Sequence, residues 1–312
     1  YKVVKFGGSS LADANQFRKV AAIIKSDDKR RFVVPSAPGK RFSDDIKVTD
    51  MLYKCCELAG SGVDFTEQLA LIKERYNGII SDLGMDFSLE DEFDTIAKEL
   101  KARSAKDYAA SRGEYLNGKV LANYLGFNFV DAADVIIFDT KGILLLDETV
   151  KAVRERIKGL DNAVIPGFYG RTTEGYIKTF SRGGSDVTGS IIANAVRAEI
   201  YENWTDVSGF LVADPRIVEK PDVIETITYR ELRELAYMGA SVLHEDAIFP
   251  VRSAGIPINI RNTNAPEDPG TMIVSNDYDF SKESLAHTIT GIAGRKGFST
   301  INIEKAMKKA KS

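Results

Sequence analysis

Residues 2–6, KVVKF, make a short apolar run that ends directly on glycines, GGSS, and Phe17, Val20, Ala21 and Ile24 then recur at helical spacing. A strand, a glycine turn and an amphipathic helix in that order constrain the fold more than any other feature of the chain. The alternation continues. FVV at 32–34 is a second strand, broken by PSAPGK, and helical patterns follow over about 49–60 and 64–82. Leu89, Phe93, Ile96 and Leu100 mark another helix, and one more covers roughly 106–125. FNFVDAADVIIFD holds two short strand-like runs, and a helix near 148–158 leads into NAVIP at 162–166. Val187, Ile191, Ile192, Ala195 and Val196 form a helical stripe, IYENWTDV is a strand, ELRELAYMGA is a helix with Leu232, Leu235 and Met238 inward, and PINIRN is a strand. Strands that alternate with helices predict an α/β fold with a largely parallel sheet covered on both faces. Such sheets bind ligands outside the carboxyl ends of their strands.

The 312 residues suffice for one large domain or two. A net charge of −3 speaks against nucleic acid and anionic membranes as partners, so an anionic ligand must be drawn by a few placed cations. No apolar run approaches a membrane span. Cys55 and Cys56 are adjacent, which suits neither a disulfide framework nor a metal site; two semi-buried thiols in a reducing cytoplasm are expected. Asn203–Trp204–Thr205 matches a glycosylation acceptor, read as chance because no leader is visible. His244 and His287 have no nearby Cys or His partner, and no G-x-S-x-G elbow occurs, so neither a metal centre nor a Ser–His–Asp hydrolase is expected.

Several stretches carry candidate chemistry. In FSRGGSDVTGS, 180–190, a helix start carries Arg182, Gly183, Gly184, Ser185 and Asp186, more than a cap by Ser185 or Asp186 needs. KFGGSS, 5–10, is either a phosphate cradle backed by a helix N-terminus and Lys5, or a tight turn beside a surface lysine. GEYLNGKV, 113–120, nearly spells a Walker A motif but has Val120 where Ser or Thr belongs, and it lies inside a helical pattern. Glu114 stands near the start of that helix, either favoured by its dipole or gripping a substrate ammonium. PSAPGKRF, 35–42, is a loop whose Lys40 and Arg41 read as solvated. NWTDVSGFLVADPRIV, 203–218, runs from a strand into a loop, with Thr205 and Asp206 placed to bond a nucleotide or simply to end the strand.

KFGGSS, RGGSD, NWTDVSGFLVADPRIV and ELAYMGASVLH occur in the order found in aspartate kinases, and residues 1–280 resemble that branch of the amino acid kinase superfamily. The resemblance implies a three-layer αβα sandwich around a mostly parallel sheet. Residues 281–312 resemble the opening of an ACT-like α+β regulatory domain, incomplete here. It also implies transfer of a phosphoryl group from ATP, with Mg²⁺, to the side-chain carboxylate of L-aspartate, the first step toward lysine, threonine and methionine. By similarity, Lys5, Phe6, Gly7 and Gly8 line the ATP phosphates, and Ser36 faces them from its loop. Arg182 grips the substrate carboxylate, Glu114 faces its ammonium, Thr49 contacts it, and Gly183, Gly184, Ser185 and Asp186 close the acceptor site. Asp186 also orients Lys5 and a metal-bound water, no residue ligates the metal directly, and Thr205, Asp206 and Arg216 contact the nucleotide. Lysine or threonine as effector and a homodimer follow from the same resemblance. Two positions depart from it: Ser241 stands where many members have a lysine, and Leu211 where a tyrosine is common. The alternatives are a catalytically weak amino-acid sensor and a kinase for another acidic amino acid.

Overall fold

The apolar runs become strands buried on both faces. The computed structural model describes residues 1–181, 183–237, 243, 245–282 and 289–294. In chain order the elements are β1 (Lys2–Phe6), α1 (Ala14–Lys25), β2 (Arg30–Pro35), α2 (Val48–Gly60), α3 (Thr66–Asp82), α4 (Glu90–Arg103) and α5 (Lys106–Leu125). Then come β3 (Asn128–Phe129), α6 (Ala132–Val135), β4 (Ile137–Phe138), α7 (Leu146–Ile157), β5 (Ala163–Val164), β6 (Tyr169–Thr172), β7 (Ile177–Thr179) and α8 (Gly184–Val196). The last group is β8 (Ile200–Thr205), β9 (Thr226–Thr228), α9 (Tyr229–Tyr237), α10 (Glu245–Ser253), β10 (Ile258–Asn262) and β11 (Thr271–Val274).

Eight strands form one sheet in the order β3-β5-β2-β1-β8-β10-β11-β9. Every pair in it is parallel except β10 with β11. Successive side chains of a strand point to opposite faces, and two cores result. Val4, Phe6, Val33 and Trp204 pack with Phe17 of α1, Leu52 of α2, Ile72 of α3, Phe93 of α4 and Val120 of α5. Val3, Val34 and Tyr201 pack with Val153 of α7, Ile191 of α8, Leu232 of α9 and Val251 of α10. The sheet is therefore sandwiched between two helical layers, as the alternation predicts. Cys55 and Cys56 lie deeper than expected, at 0% and 4% exposure within the core of α2. Among the described residues no helix is long and apolar enough to cross a membrane.

A second, three-stranded sheet of order β4-β6-β7 is not predicted by the sequence. β4 falls in a stretch read as strand-like, but β6 and β7 read YGRT and IKT, too short and too polar to register as apolar runs. β9 and β11 are missed for the same brevity.

The chain leaves β1 through α1 to β2 on one side, and later reaches β8 on the other side through α8, packed against the opposite face. β1 is thus flanked by strands reached over different faces, and a crevice opens at its carboxyl end.

Candidate active site

The carboxyl ends of β1, β2 and β8 are tied together by backbone bonds. Gly7 N donates to Trp204 O at 3.0 Å, and Ser36 N donates to Phe6 O at 3.0 Å. Phe6 contributes only its backbone here. Its ring is fully buried and stacks on Trp204 with centroids 6.0 Å apart.

The expected helix does not follow the glycines directly. A 3₁₀ turn, Gly8–Leu11, intervenes, and α1 begins at Ala14 with Asp13 accepting from Gln16 N as its cap. A carboxylate already occupies that helix N-terminus, so it is not the one that serves an anion. The N-terminus of α8, by contrast, is uncapped: its N-cap is Gly183 in the left-handed region (φ 54°) with no side-chain cap bond. Ser185 and Asp186 therefore lie within the first turn rather than capping it, and the first-turn N–H groups remain open to an anion. Gly184 is required: a Cβ there would stand 2.5 Å from the Phe168 ring.

Lys5, at 8% exposure, reaches across the crevice to Asp186, with Nζ 2.7 Å from Oδ1. The cation thus joins the glycine loop to the open end of α8. The surface-lysine reading of Lys5 is overturned by that burial.

The loop after β2 closes over the glycines. Gly39 N donates to Gly8 O at 2.8 Å, and a Cβ on Gly39 would meet Gly8 C at 2.6 Å. Buried Arg75 of α3 pins this loop, donating to Gly39 O at 2.6 Å and to Ala12 O at 2.9 Å, with Asp45 at 3.1 Å. Arg41 is not free in solvent but pairs with Asp45 at 2.7 Å, and holds that carboxyl well below the usual range. Gly39→Ala is expected to cost about 1–3 kcal/mol, because backbone on both sides must move. A thermal melt checks it; an unchanged midpoint would contradict the close approach.

α5 forms the wall opposite. Asn117 Nδ2 donates to Ser36 O at 2.7 Å, which fixes the half-buried Ser36 loop. Glu114 is not near the start of α5, which begins at Lys106; it sits mid-helix, so the dipole reading fails. Its side chain is buried and Oε2 has no hydrogen-bond partner. Desolvation pushes its carboxyl up to about 8, with backbone hydrogen bonds at Ala37 and at Glu114 itself and the charge of Arg112 pulling the other way. Thr49, half-buried, lies in the first turn of α2, and one turn on the Tyr53 phenol is pushed up by burial and by the charges of Asp107 and Glu114. The GEYLNGKV stretch is helical throughout, so the Walker A reading stays rejected.

At the β8 end, Thr205 Oγ1 lies 3.3 Å from Asp206 Oδ1, and Asp206 is exposed. Arg216 is exposed and pairs within its own turn with Asp214, Nη2 to Oδ2 at 2.6 Å. The structure does not draw it against the glycine loop. Leu211 is partly exposed and bridges to Val223. Arg182, Ser241, His244 and His287 lie outside the described residues. Gly39, Arg75, Asn117 and Asn203 escape sequence reasoning. A glycine in a predicted loop after β2 is the one signal that points to any of them.

A glycine loop, a buried lysine and an open helix N-terminus at a sheet's carboxyl edge define a site for an anionic group, with a buried acid on its far wall. Residues 1–262 match the family model described as the amino acid kinase family. The chain belongs to that family, in its aspartokinase branch. It is 39% identical to aspartokinase 3 of Bacillus subtilis (strain 168), over 97% of this chain and 69% of that enzyme. Among solved structures, the aspartate kinase of Clostridium acetobutylicum is similar at 55% identity and a TM-score of 0.88, covering 94% of this chain and 66% of that one. Aspartokinase III of E. coli, solved with aspartate and ADP, is similar at 25% identity and a TM-score of 0.76, covering 89% and 65%. The chain thus spans about two thirds of the length of these relatives.

Proposed function

We propose that this chain transfers the γ-phosphoryl group of ATP to the side-chain carboxylate of L-aspartate. The observation that carries the reading is Lys5 held 2.7 Å from Asp186 where the glycine loop meets the uncapped end of α8. The E. coli relative bound to aspartate and ADP supports both the acceptor and the nucleotide. The nucleophile is a carboxylate, already ionised at neutral pH, so no general base is needed. The difficulty is bringing one anion against another. Catalysis is then positioning plus electrostatic stabilisation.

In this reading Lys5 and the N–H of Gly8 bear the charge of the phosphates, while Gly7, whose own N–H is held by Trp204 O, lines them with its backbone. The first turn of α8 bears charge at the acceptor side, Arg182 holds the α-carboxylate, and Glu114 receives the ammonium. Thr49 and Ser185 complete the acceptor wall, and Thr205, Asp206 and Arg216 serve the nucleotide. Mg²⁺ fits as an ion carried mainly by the phosphates, with Asp186 the acid beside them. Among the described residues no group of three or more His, Cys, Asp or Glu gathers to hold a cation alone. When bound, the ion supplies charge neutralisation at the phosphates. Residues 1–280 are read as the catalytic unit and 281–312 as the start of an ACT-like regulatory domain. The homodimer belongs to the same reading, as does a lysine or threonine effector; E. coli aspartokinase III solved with lysine and aspartate supports lysine.

Coupled ADP release with aspartate, glutamate and N-acetylglutamate tests the proposal, and turnover is expected with aspartate. An acylated nitrogen offers Glu114 no ammonium. No turnover with aspartate would overturn the reading. Arg182→Ala is expected to raise the KM for aspartate far more than that for ATP, since a truncated charge-assisted contact costs about 2–4 kcal/mol. Equal effects on both KM values would contradict its assignment.

A further inference from the structure

The glycosylation-like triplet is a chance match, as its sequence reading has it, and its asparagine has other work. Asn203 lies inside β8, 3% exposed, with Lys5 of β1 and Ile260 of β10 as its neighbours across the sheet. Lys5 and Asn203 therefore project from the same face, toward the first turn of α8. There Asn203 Nδ2 donates to Asp186 Oδ1 at 2.8 Å, the oxygen that also lies 2.7 Å from Lys5 Nζ. A carboxylate accepts only, so the amide must present its nitrogen. Two residues earlier on the same strand face, Tyr201 OH donates to the backbone carbonyl of Asp186 at 3.1 Å. β8 thus grips Asp186 twice, once by its main chain and once by its carboxylate.

We propose that Asn203 is a positioning residue of the transfer site: its amide occupies one oxygen of Asp186, so that Lys5 is shared with the phosphoryl group rather than captured by the acid. The inference rests on the reading above. The Lys5 and Asp186 side chains are only 10% and 21% exposed, so their attraction is weakly screened. Without a third donor, Asp186 would take the whole ammonium. A neutral amide satisfies part of the carboxylate, cannot itself leave for a phosphate, and adds no charge. A second acid at this position would face Asp186 as a like charge.

The test compares Asn203→Leu, which keeps the bulk and removes the donor, with Asp186→Asn and with the double variant. Asn203→Leu is expected to lower kcat about tenfold or more, with the aspartate KM changed by less than about threefold. In the Asp186→Asn background, Asn203→Leu should cause less than about a twofold further loss, because its effect runs through Asp186. An unchanged kcat in folded Asn203→Leu, or the same loss in both backgrounds, overturns the proposal. Should Asn203→Leu fail to fold, Asn203→Asp has the same shape and carries the test. Its kcat is expected to fall as pH rises from 6 to 9 relative to wild type, since a protonated acid still donates and a carboxylate does not. Wild-type kcat across that range would overturn the idea. Wild-type turnover of aspartate reports on the reaction alone, and the ratio of variant to wild type, with whichever acid is used, reports on Asn203. If no acid is turned over, calorimetric ADP affinity decides: weaker binding by the variant is expected, and equal affinity overturns the proposal.

Discussion

Lys5→Ala is expected to lower kcat by about 10²–10³-fold, the usual effect of deleting one preorganised charge stabiliser in an enclosed site. The loss has two sources. The cation beside the transferred group disappears, and Asp186 is left as an uncompensated charge where an anion must arrive. The KM for aspartate should change little, because the proposed reading assigns the acceptor to Glu114 and Arg182 rather than to Lys5. Lys5→Arg should not rescue the rate. Lys5 Nζ lies 3.6 Å from where a Gly7 Cβ would stand, so the ammonium sits close against the loop, and a planar guanidinium is wider and differently directed. Steady-state kinetics with melting curves check this. A folded Lys5→Ala enzyme within about tenfold of wild type would mean that Lys5 is not at the reacting phosphate.

Much of this was readable before any coordinates. β1 and β2 are buried on both faces, so they appear as apolar runs, β8 and β10 carry alternate apolar residues that still read as strands, and the stripe Leu89, Phe93, Ile96, Leu100 appears because α4 has one buried face. The motifs at 5–8 and 183–186 also stand out, because close backbone approach requires glycine and charge binding requires Lys or Asp. What stayed hidden depends on contacts between distant segments. Gly39 acquires meaning only beside Gly8, and Arg75 only when Gly39 O and Ala12 O are found at its guanidinium. In the sequence, Arg75 is one more polar residue on a helix. Which helix N-terminus is free also stayed open. Asp13 as a cap removes α1 from contention, and glycine at residue 183 leaves α8 open, but local sequence does not say which of the two faces the crevice. The glycosylation-like match at Asn203 is chance, as read, because the residue is buried in β8, but its contact with Asp186 is invisible in a three-residue pattern.

Glu114→Gln should separate the two jobs of a buried acid, and its signature is a pH dependence. Burial holds the folded-state carboxyl at about 8, against an ordinary value of 4.5. Below 4.5 the group is neutral in both folded and unfolded chains, and its contribution to the fold is fully present. As pH rises, the unfolded chain ionises first, so the fold loses about 1.4 kcal/mol per pH unit from this group. The loss ends near pH 8, where the buried carboxyl ionises too. Gln has no such slope. The melting temperature of wild type relative to Glu114→Gln should therefore fall between pH 5 and 8 and then level off; parallel curves across that range would show that the acid is not held neutral. Acceptor binding then reverses the balance. An ammonium placed against Oε2, which has no other partner, favours the ionised form, so aspartate binding below pH 8 should release a proton. Calorimetry in two buffers of different ionisation enthalpy counts that proton. Glu114→Gln should release none from this site and bind aspartate more weakly by about 2 kcal/mol or more, roughly thirtyfold. Loss of affinity without loss of the proton would mean that another group titrates. Loss of the proton without loss of affinity would mean that the ammonium is held elsewhere, and the acceptor would then have to lie in the site with its amine turned away from α5.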